Sequence, residues 1–413
     1  MEKFFIYPIL FTVAISLAIA RPQYSILQNF GTKCIGCHYN TQGGGVRTQP
    51  GWMSRKDISV INPSTIGLQG FYDAISTNTA FNEAVTFGTD FRWQDARWPV
   101  IGRDIMVMQF SPYLILQPTN WLGFEGFYNL AYDIASDKRF VGQNPYAFSM
   151  YLKPSVEMPS LRVGYFQPTI GTKFDDHTIL LREVTGYARS STYNEEKKYK
   201  RPGTIPLIPD DYAEWGAQID YEALDWLGLS AGVFTADNLA ALTSVSKTGT
   251  PVPVVDSGSY STVLRAFVTP PTLIDGVTAF FGGTYMFNND YYISSAFINV
   301  GLTEKLSILT EYMRSDKKDS RFTQNVMAEV TYAVTDAVLP FIRAERGQTK
   351  YKIENHPFYT NQFVFGVHIN LLPYIDLLPE YRIYNSEQVF ERTEVPVQNG
   401  YARQWTFQIH VFY

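Results

Sequence analysis

The sequence predicts an all-β fold, a transmembrane antiparallel β-barrel of about sixteen strands preceded by a short N-terminal segment of different character. Aromatic residues make up 15% of the 413 residues and charged residues only 18%. Segments of roughly ten residues alternate apolar with polar or small residues, which is the pattern of membrane-spanning β-strands. No apolar stretch of about 18 residues follows Ala20, so membrane-spanning helices are excluded.

Residues 1–20 have the features of a signal peptide. An apolar run from Phe4 to Ile19 ends in Ala18-Ile19-Ala20, which matches an A-x-A cleavage site and is too short to be read as a membrane-spanning helix. We expect the mature chain to begin near Arg21 and to reside in the bacterial outer membrane, in contact with its lipid. The formal net charge of −5 gives no attraction to nucleic acid, which is excluded as a partner.

The only two cysteines of the chain lie in Cys34-Ile-Gly-Cys37-His38. Cys-x-x-Cys-His is the spacing that attaches a c-type haem, with two thioethers on the porphyrin and the adjacent imidazole on the iron. A disulfide, a redox dithiol and half of a zinc site are the competing interpretations. None of them accounts for His38. We therefore expect one covalent haem on Cys34 and Cys37, with His38 as the proximal iron ligand.

Residues 21–80 are predicted to form a monohaem cytochrome c-like segment. The segment is too short to build a substantial core of its own, and its Gly43–Gly45 and Pro50–Trp52 clusters predict turns. A haem held this loosely needs shielding from water, which a barrel lumen can supply. We therefore expect this segment to be a plug in the periplasmic half of the barrel. A flexible periplasmic tail is the alternative.

Residues 81–413 are predicted to form a porin-like barrel. In the stretch 122–134, Leu122, Phe124, Tyr128, Leu130, Tyr132 and Ile134 share one face, and Glu125, Asn129 and Asp133 share the other. The same split recurs in 322–332 and 375–383. A soluble β-sandwich would also alternate, but the last residues, 405–413, end on an aromatic in the apolar phase, as the final strands of outer-membrane barrels do.

The segmentation gives about sixteen strands, and an even number returns both chain ends to the periplasmic side. The strands are predicted to begin near residues 81, 104, 120, 146, 160, 212, 226, 260, 277, 291, 304, 322, 337, 361, 374 and 401. Every second connection is predicted to be a tight turn, and the others are predicted to be long, reaching the lengths of 169–211, 235–259 and 385–400.

The whole layout resembles the fused monohaem cytochrome c-porins of the outer membrane, which are best known from iron-oxidising bacteria. The resemblance rests on the signal peptide, on Pro22-Gln-Tyr24 ahead of Cys34, Cys37 and His38, and on the alternating barrel through Tyr413. It implies electron transfer across the outer membrane, with oxidation of extracellular Fe(II) as the leading expectation.

The sixth ligand of the haem iron is left open by the sequence. His177 is the first candidate, because it lies in the long connection that corresponds by order to the loop that folds into the channel of porins. Met53 is the cytochrome-like alternative. His368 and His410 are predicted to face the lumen, and His356 lies in a predicted outer loop.

The function predicted from these features is electron transfer through one haem between an extracellular donor or acceptor, such as Fe(II), and a soluble periplasmic cytochrome or other electron carrier. No sequence pattern predicts a hydrolase or transferase site, so an Fe(II) oxidase is the only enzyme class indicated. The alternative is a solute-diffusion porin in which the haem segment is a plug, gate or sensor. A third interpretation makes oxygen or another small ligand the partner of the haem.

Overall fold

The computed structural model describes residues 37–39, 45–98, 102–131, 146–155, 157–172, 179–182, 208, 212–222, 224–241, 243–245, 251–253, 255–271, 277–318, 321–351, 357–388 and 398–413. The predicted signal peptide, Cys34, His177 and His356 lie outside these residues. Among the helices within them, none is long and apolar enough to cross a membrane.

The chain forms a closed antiparallel β-barrel. The seventeen-stranded sheet contains the two-residue strand β1 (Thr79–Ala80), which pairs with the start of β2, and sixteen barrel strands. The barrel strands are β2 (Val85–Trp98), β3 (Gly102–Thr119), β4 (Leu122–Tyr128), β5 (Tyr146–Leu152), β6 (Ser160–Phe166), β7 (Glu214–Tyr221), β8 (Leu227–Thr235), β11 (Tyr260–Val268), β12 (Thr278–Asn288), β13 (Tyr291–Thr303), β14 (Leu306–Lys317), β15 (Arg321–Tyr332), β16 (Val338–Tyr351), β17 (Phe358–Leu372), β18 (Ile375–Gln388) and β19 (Gln398–Phe412). A separate hairpin consists of β9 (Thr243–Val245) and β10 (Pro251–Pro253).

The ring closes where the first and last barrel strands pair. Phe412 lies opposite Asp90, and Trp405 lies opposite Arg97. The start of β2 and the end of β19 lie at the same end of the barrel, as an even number of antiparallel strands requires. The predicted count of about sixteen strands is confirmed. Each barrel strand begins within four residues of its predicted start.

The alternation along the strands separates an apolar outer face from a polar inner face. On β15, Val326 and Val330 are about 40% exposed in the isolated chain, whereas Asn325 and Glu329 are at most 4% exposed. The same split holds on β18 and β19, as the sequence predicts. In the stretch 122–134, however, β4 ends at Tyr128, so the strand does not continue to residue 134 as predicted.

The connections differ between the two ends of the barrel, but less regularly than predicted. The longest ones, 129–145, 167–213 and 236–259, all lie at the end of the barrel opposite the start of β2 and the end of β19. The prediction that every connection at that end is long was wrong, because 289–290 and 318–320 are tight. Strand pairing constrains only the ends of a loop, so a tight hairpin can form at either end of the barrel. The end of the barrel where β2 begins and β19 ends is called the short-turn end below.

The N-terminal residues contain three short helical pieces. These are α1 (Gln49–Met53), a 3₁₀ turn (Pro63–Ile66) and α2 (Gln69–Ala74). The Pro50–Trp52 cluster therefore lies inside a one-turn helix, not in the turn predicted for it, because Thr48 caps the helix and accepts a hydrogen bond from the backbone N–H of Gly51 at 3.3 Å. A third helix, α3 (Asp237–Ala241), precedes β9.

Candidate functional site

Cys37 and His38 lie in a short antiparallel pairing with residues 46–48. The backbone N–H of Thr48 donates to the carbonyl oxygen of Cys37 at 2.8 Å, and His38 forms a β-bridge with Arg47. Cys37 is 1% exposed and His38 is 2% exposed. The described half of the Cys-x-x-Cys-His motif is therefore held in the protein interior.

Gly51 allows α1 to pack directly against this pairing. A Cβ atom at Gly51 would lie 2.7 Å from the Cα and 2.8 Å from the carbonyl carbon of Cys37, closer than real Cβ atoms approach backbone. Only glycine fits this contact, so Gly51 fixes the distance between α1 and the motif.

Five aromatic side chains, from α1, α2, the β17–β18 turn and the chain end, pack together beside the motif. We call this set the aromatic clasp: Trp52, Tyr72, Tyr374, Phe412 and Tyr413. Trp52 stacks on Tyr374 with ring centroids 5.0 Å apart and meets Tyr413 edge-on at 5.4 Å. The Tyr72 hydroxyl donates to the Pro373 carbonyl at 3.2 Å.

Backbone hydrogen bonds also join the N-terminal residues to the barrel wall. The N–H groups of Val60 and Ile61 donate to the carbonyl oxygens of Asn370 and Leu371 at 2.8 and 3.0 Å. The Tyr39 hydroxyl contacts Thr86, a lumen-facing residue of β2, at 3.1 Å. The residues 37–39 and 45–78, called the docked segment below, are therefore attached to the inner wall at the short-turn end.

Two arginines of the docked segment point at one ring of the wall. The guanidinium carbon of Arg47 lies 4.1 Å from the Phe412 ring centroid, and that of Arg55 lies 5.3 Å from it. Both arginines are buried. Burial raises the pKa of the neighbouring Tyr374 hydroxyl, and the Arg47 charge acts in the opposite direction.

The sequence did not lead us to predict this arginine and aromatic site. Phe412 lies in the same phase of β19 as Thr406 and His410, which face the lumen. An aromatic residue in the polar phase of the last strand is the signal that could have identified an internal contact there.

The predicted lumen-facing histidines are confirmed as such. Nδ1 of His368 lies 2.8 Å from the Asp376 carboxylate, and Nε2 of His410 lies 2.6 Å from the Asp90 carboxylate. Each imidazole is therefore engaged by a carboxylate of the wall. Met53 is 37% exposed at the end of α1, so solvent reaches this candidate iron ligand.

Ion pairs line the inner wall. These are Arg162 with Glu125 at 2.6 Å, Arg343 with Glu345 at 2.8 Å, Arg92 with Asp90 at 3.3 Å, and Arg382 with Glu380. Acidic and basic side chains are thus paired on the inner face of the wall, which makes the interior polar. Within the described residues, no three His, Cys, Asp or Glu side chains form a metal-binding group.

The described parts of the connection 167–213, mainly residues 167–172 and 179–182, fold into the barrel, as predicted from its length and order. We call these described parts the inward loop. The backbone N–H of Gly171 donates to Thr284 at 2.9 Å, and the hydroxyl of Thr172 donates to Glu311. Further along, the N–H of Leu180 donates to Glu345 at 2.6 Å. The described parts of this loop thus cross the lumen to the wall formed by β12 to β16.

An apolar cluster secures the inward loop. Leu181 is fully buried, and Ile170 and Ile179 pack with it against wall residues such as Met313 and Met327. These apolar residues lie in the inner phase of β14 and β15 and replace the polar lining under the loop. The loop therefore narrows the lumen at a fixed place.

No protein-family model and no curated protein sequence matches this chain. Among solved structures, the outer membrane channel DcaP of Acinetobacter baumannii is similar with a TM-score of 0.50 at 8% identity, over 80% of this chain and 97% of that one. OmpT of Vibrio cholerae gives a TM-score of 0.48 at 11% identity, over 81% and 100% of the two chains. An anion-selective porin from Comamonas acidovorans gives 0.47 at 10% identity, over 80% and 99%. The chain therefore has the β-barrel fold of an outer-membrane protein.

Proposed function

We propose that this chain is an outer-membrane channel whose lumen is narrowed by the inward loop and closed at the short-turn end by the docked segment. The observation that carries this proposal is the polar lining of the inner wall, where buried Arg–Glu and Arg–Asp pairs face the interior. Such a lining stabilises water and ions inside a barrel. The docked segment then acts as a plug or gate.

Conductance in planar lipid bilayers tests this proposal. Trp52→Ala removes the central ring of the aromatic clasp, at a cost of about 3–5 kcal/mol for a buried aromatic, and should release the docked segment from the wall. We expect a several-fold rise in single-channel conductance relative to the wild-type protein. Ile66→Ala is the control, because Ile66 is 49% exposed on the same segment. Equal conductance of both variants and the wild type would contradict the gating role.

We propose in addition that the docked segment carries one c-type haem on Cys34 and Cys37, with His38 as the proximal ligand. The residues present fit such a group, since a buried thiol and a buried imidazole lie on one turn beside two buried guanidinium groups. When bound, haem supplies one-electron redox chemistry. The protein would attach the haem, orient it and exclude water from it.

Electron transfer across the outer membrane is the second candidate function, and the burial of Cys37 and His38 inside the barrel favours it. The apolar band of such a barrel is about 25 Å tall and insulates the two sides of the membrane. A redox centre in the lumen would relay electrons between an extracellular donor or acceptor, Fe(II) among them, and a soluble periplasmic cytochrome. This is also the function that the resemblance to the fused cytochrome c-porins implies, with His177 or Met53 as the proposed distal ligand.

An optical redox titration of the full chain distinguishes the two candidates. A low-spin c-type spectrum that Fe(II) reduces supports the electron relay. A bound haem that does not react with extracellular donors or acceptors, together with ion conductance in the bilayer, supports the gated channel. A protein without covalent haem would contradict both haem proposals and leave only the channel.

A further inference from the structure

We propose that Arg47, Arg55, Trp52 and Tyr374 form a binding nest for the haem propionates. This inference rests on the proposed haem and adds the residues that hold its two carboxylates. Propionates inside a protein need cations and hydrogen-bond donors in place of water. The nest lies between the docked segment and the inner wall, beside Cys37 and His38.

The first observation is the convergence of two buried cations. The guanidinium carbons of Arg47 and Arg55 lie 4.1 and 5.3 Å from the centroid of the Phe412 ring, and the two residues are 8% and 4% exposed. Guanidinium groups bind carboxylates through paired hydrogen bonds.

The second observation is a pair of buried donors that have no hydrogen-bond partner among the residues that the structure describes. These are Nε1 of Trp52 and the hydroxyl of Tyr374. Trp52 is 0% exposed and Tyr374 is 5% exposed. Their rings stack at 5.0 Å, a contact that phenylalanine could also make, so the stack alone does not explain an indole N–H and a phenol at these positions. A buried polar group without a partner is costly, and a carboxylate oxygen is an acceptor suited to either donor.

The third observation is the position of the nest. Trp52 directly follows Gly51, whose backbone abuts Cys37, and Arg47 is the bridge partner of His38. The donors and the cations are therefore attached to the same short turn that presents the cysteine and histidine. A porphyrin fixed to that turn would bring its carboxylates within the reach of these side chains.

The test measures covalent haem content and midpoint potential in the full chain and its variants. Covalent haem is quantified as the pyridine haemochrome, and the potential is measured by optical titration across a range of pH. The variants are Arg47→Gln, Trp52→Phe and Tyr374→Phe, which remove a charge or a donor but keep size or ring. The control is Tyr72→Phe, since the Tyr72 hydroxyl donates to the Pro373 carbonyl and its ring lies 6.5 Å from that of Tyr374.

We expect all four variants to retain covalent haem. A cation or donor at a propionate disfavours the extra positive charge of ferric haem, so its removal should lower the midpoint potential, most for Arg47→Gln. The propionate bands in the resonance Raman spectrum should shift in the three nest variants, and the control should match the wild type. Unshifted potentials and Raman bands in haem-bearing variants would overturn the nest alone. Absence of covalent haem from the wild-type protein would overturn the haem proposal and the nest together.

Discussion

At the scale of single residues, Gly51 carries the most specific steric constraint near the motif. Gly51→Ala would place a Cβ 2.7 Å from the Cα of Cys37, and the contact is with backbone, which cannot rotate away. We expect overpacking to cost about 1–3 kcal/mol and to displace α1 from Cys37. Limited proteolysis of the membrane-embedded protein should then cut the docked segment faster than in the wild type.

Gly70→Ala is the matched control for this substitution. Gly70 lies in α2 of the same docked segment, and a Cβ atom at this position would have no neighbour within 4 Å among the described residues. Alanine is the better helix former, so this variant should resist proteolysis at least as well as the wild type. Equal cleavage of the two variants would show that the contact of Gly51 with Cys37 does not hold the segment in place.

Single residues also show what the sequence could and could not predict about the site. The spacing of Cys34, Cys37 and His38 predicts a haem-binding chemistry without any knowledge of the fold. It contains no information about which distant side chains will surround the motif. Arg47 and Phe412 meet only because the last strand ends at the luminal position where the docked segment lies, and such long-range contacts have no local sequence signature.

Among the elements, the inward loop keeps its contact with the wall through a second glycine. Gly171 has a φ of +61°, and a Cβ there would lie 3.2 Å from the carboxyl carbon of Glu311 and 3.0 Å from Oγ of Ser295. Glu311 cannot move freely, because it accepts hydrogen bonds from Ser295 at 2.7 Å and from Thr172. Gly171→Ala should therefore detach the loop locally and widen the lumen, which we expect to measure as a higher single-channel conductance.

Gly258→Ala separates loop displacement from backbone strain. Gly258 has a φ of +77°, but a Cβ atom there would meet no described atom within 4 Å, so alanine introduces a similar left-handed strain without a clash. Its conductance should equal that of the wild type. If Gly258→Ala raised conductance as much as Gly171→Ala, the contact with Glu311 would not be what sets the width of the lumen.

The strands and the loops differed in how well the sequence predicted them. Strand starts were predicted closely, because a barrel wall between lipid and water imposes a strict period of two. The end of β4 at Tyr128 was missed because apolar residues continue in phase through Ile134. The docking of Leu181 in an apolar cluster could not be predicted either, since the cluster includes Met313 and Met327 from strands more than a hundred residues away.

In the molecule as a whole, the apolar side chains face outward and the polar side chains face the interior, the reverse of a soluble protein. Val326 and Val330 face the lipid, while Asn325 and Glu329 face an interior of paired charges. The two inserted pieces use opposite means to stay in that interior. The inward loop packs through apolar side chains against the wall. The docked segment is held by the aromatic clasp, to which Phe412 and Tyr413 contribute. Both pieces lie across the path that a solute would take.

The orientation of the barrel in the outer membrane follows from the ends of its strands. Outer-membrane barrels keep their short turns and both chain ends on the periplasmic side, so the docked segment should lie there. Asp290→Cys places a thiol in an exposed tight turn at the far end, and Lys305→Cys places one in an exposed turn at the short-turn end. A membrane-impermeant maleimide added to intact cells should label the first variant and spare the second until the outer membrane is permeabilised. The wild type corrects for reaction at Cys34 and Cys37. Labelling of Lys305→Cys in intact cells would show that the barrel has the opposite orientation. The proposed haem would then lie at the outer mouth, where an extracellular donor could reach it without crossing the lumen.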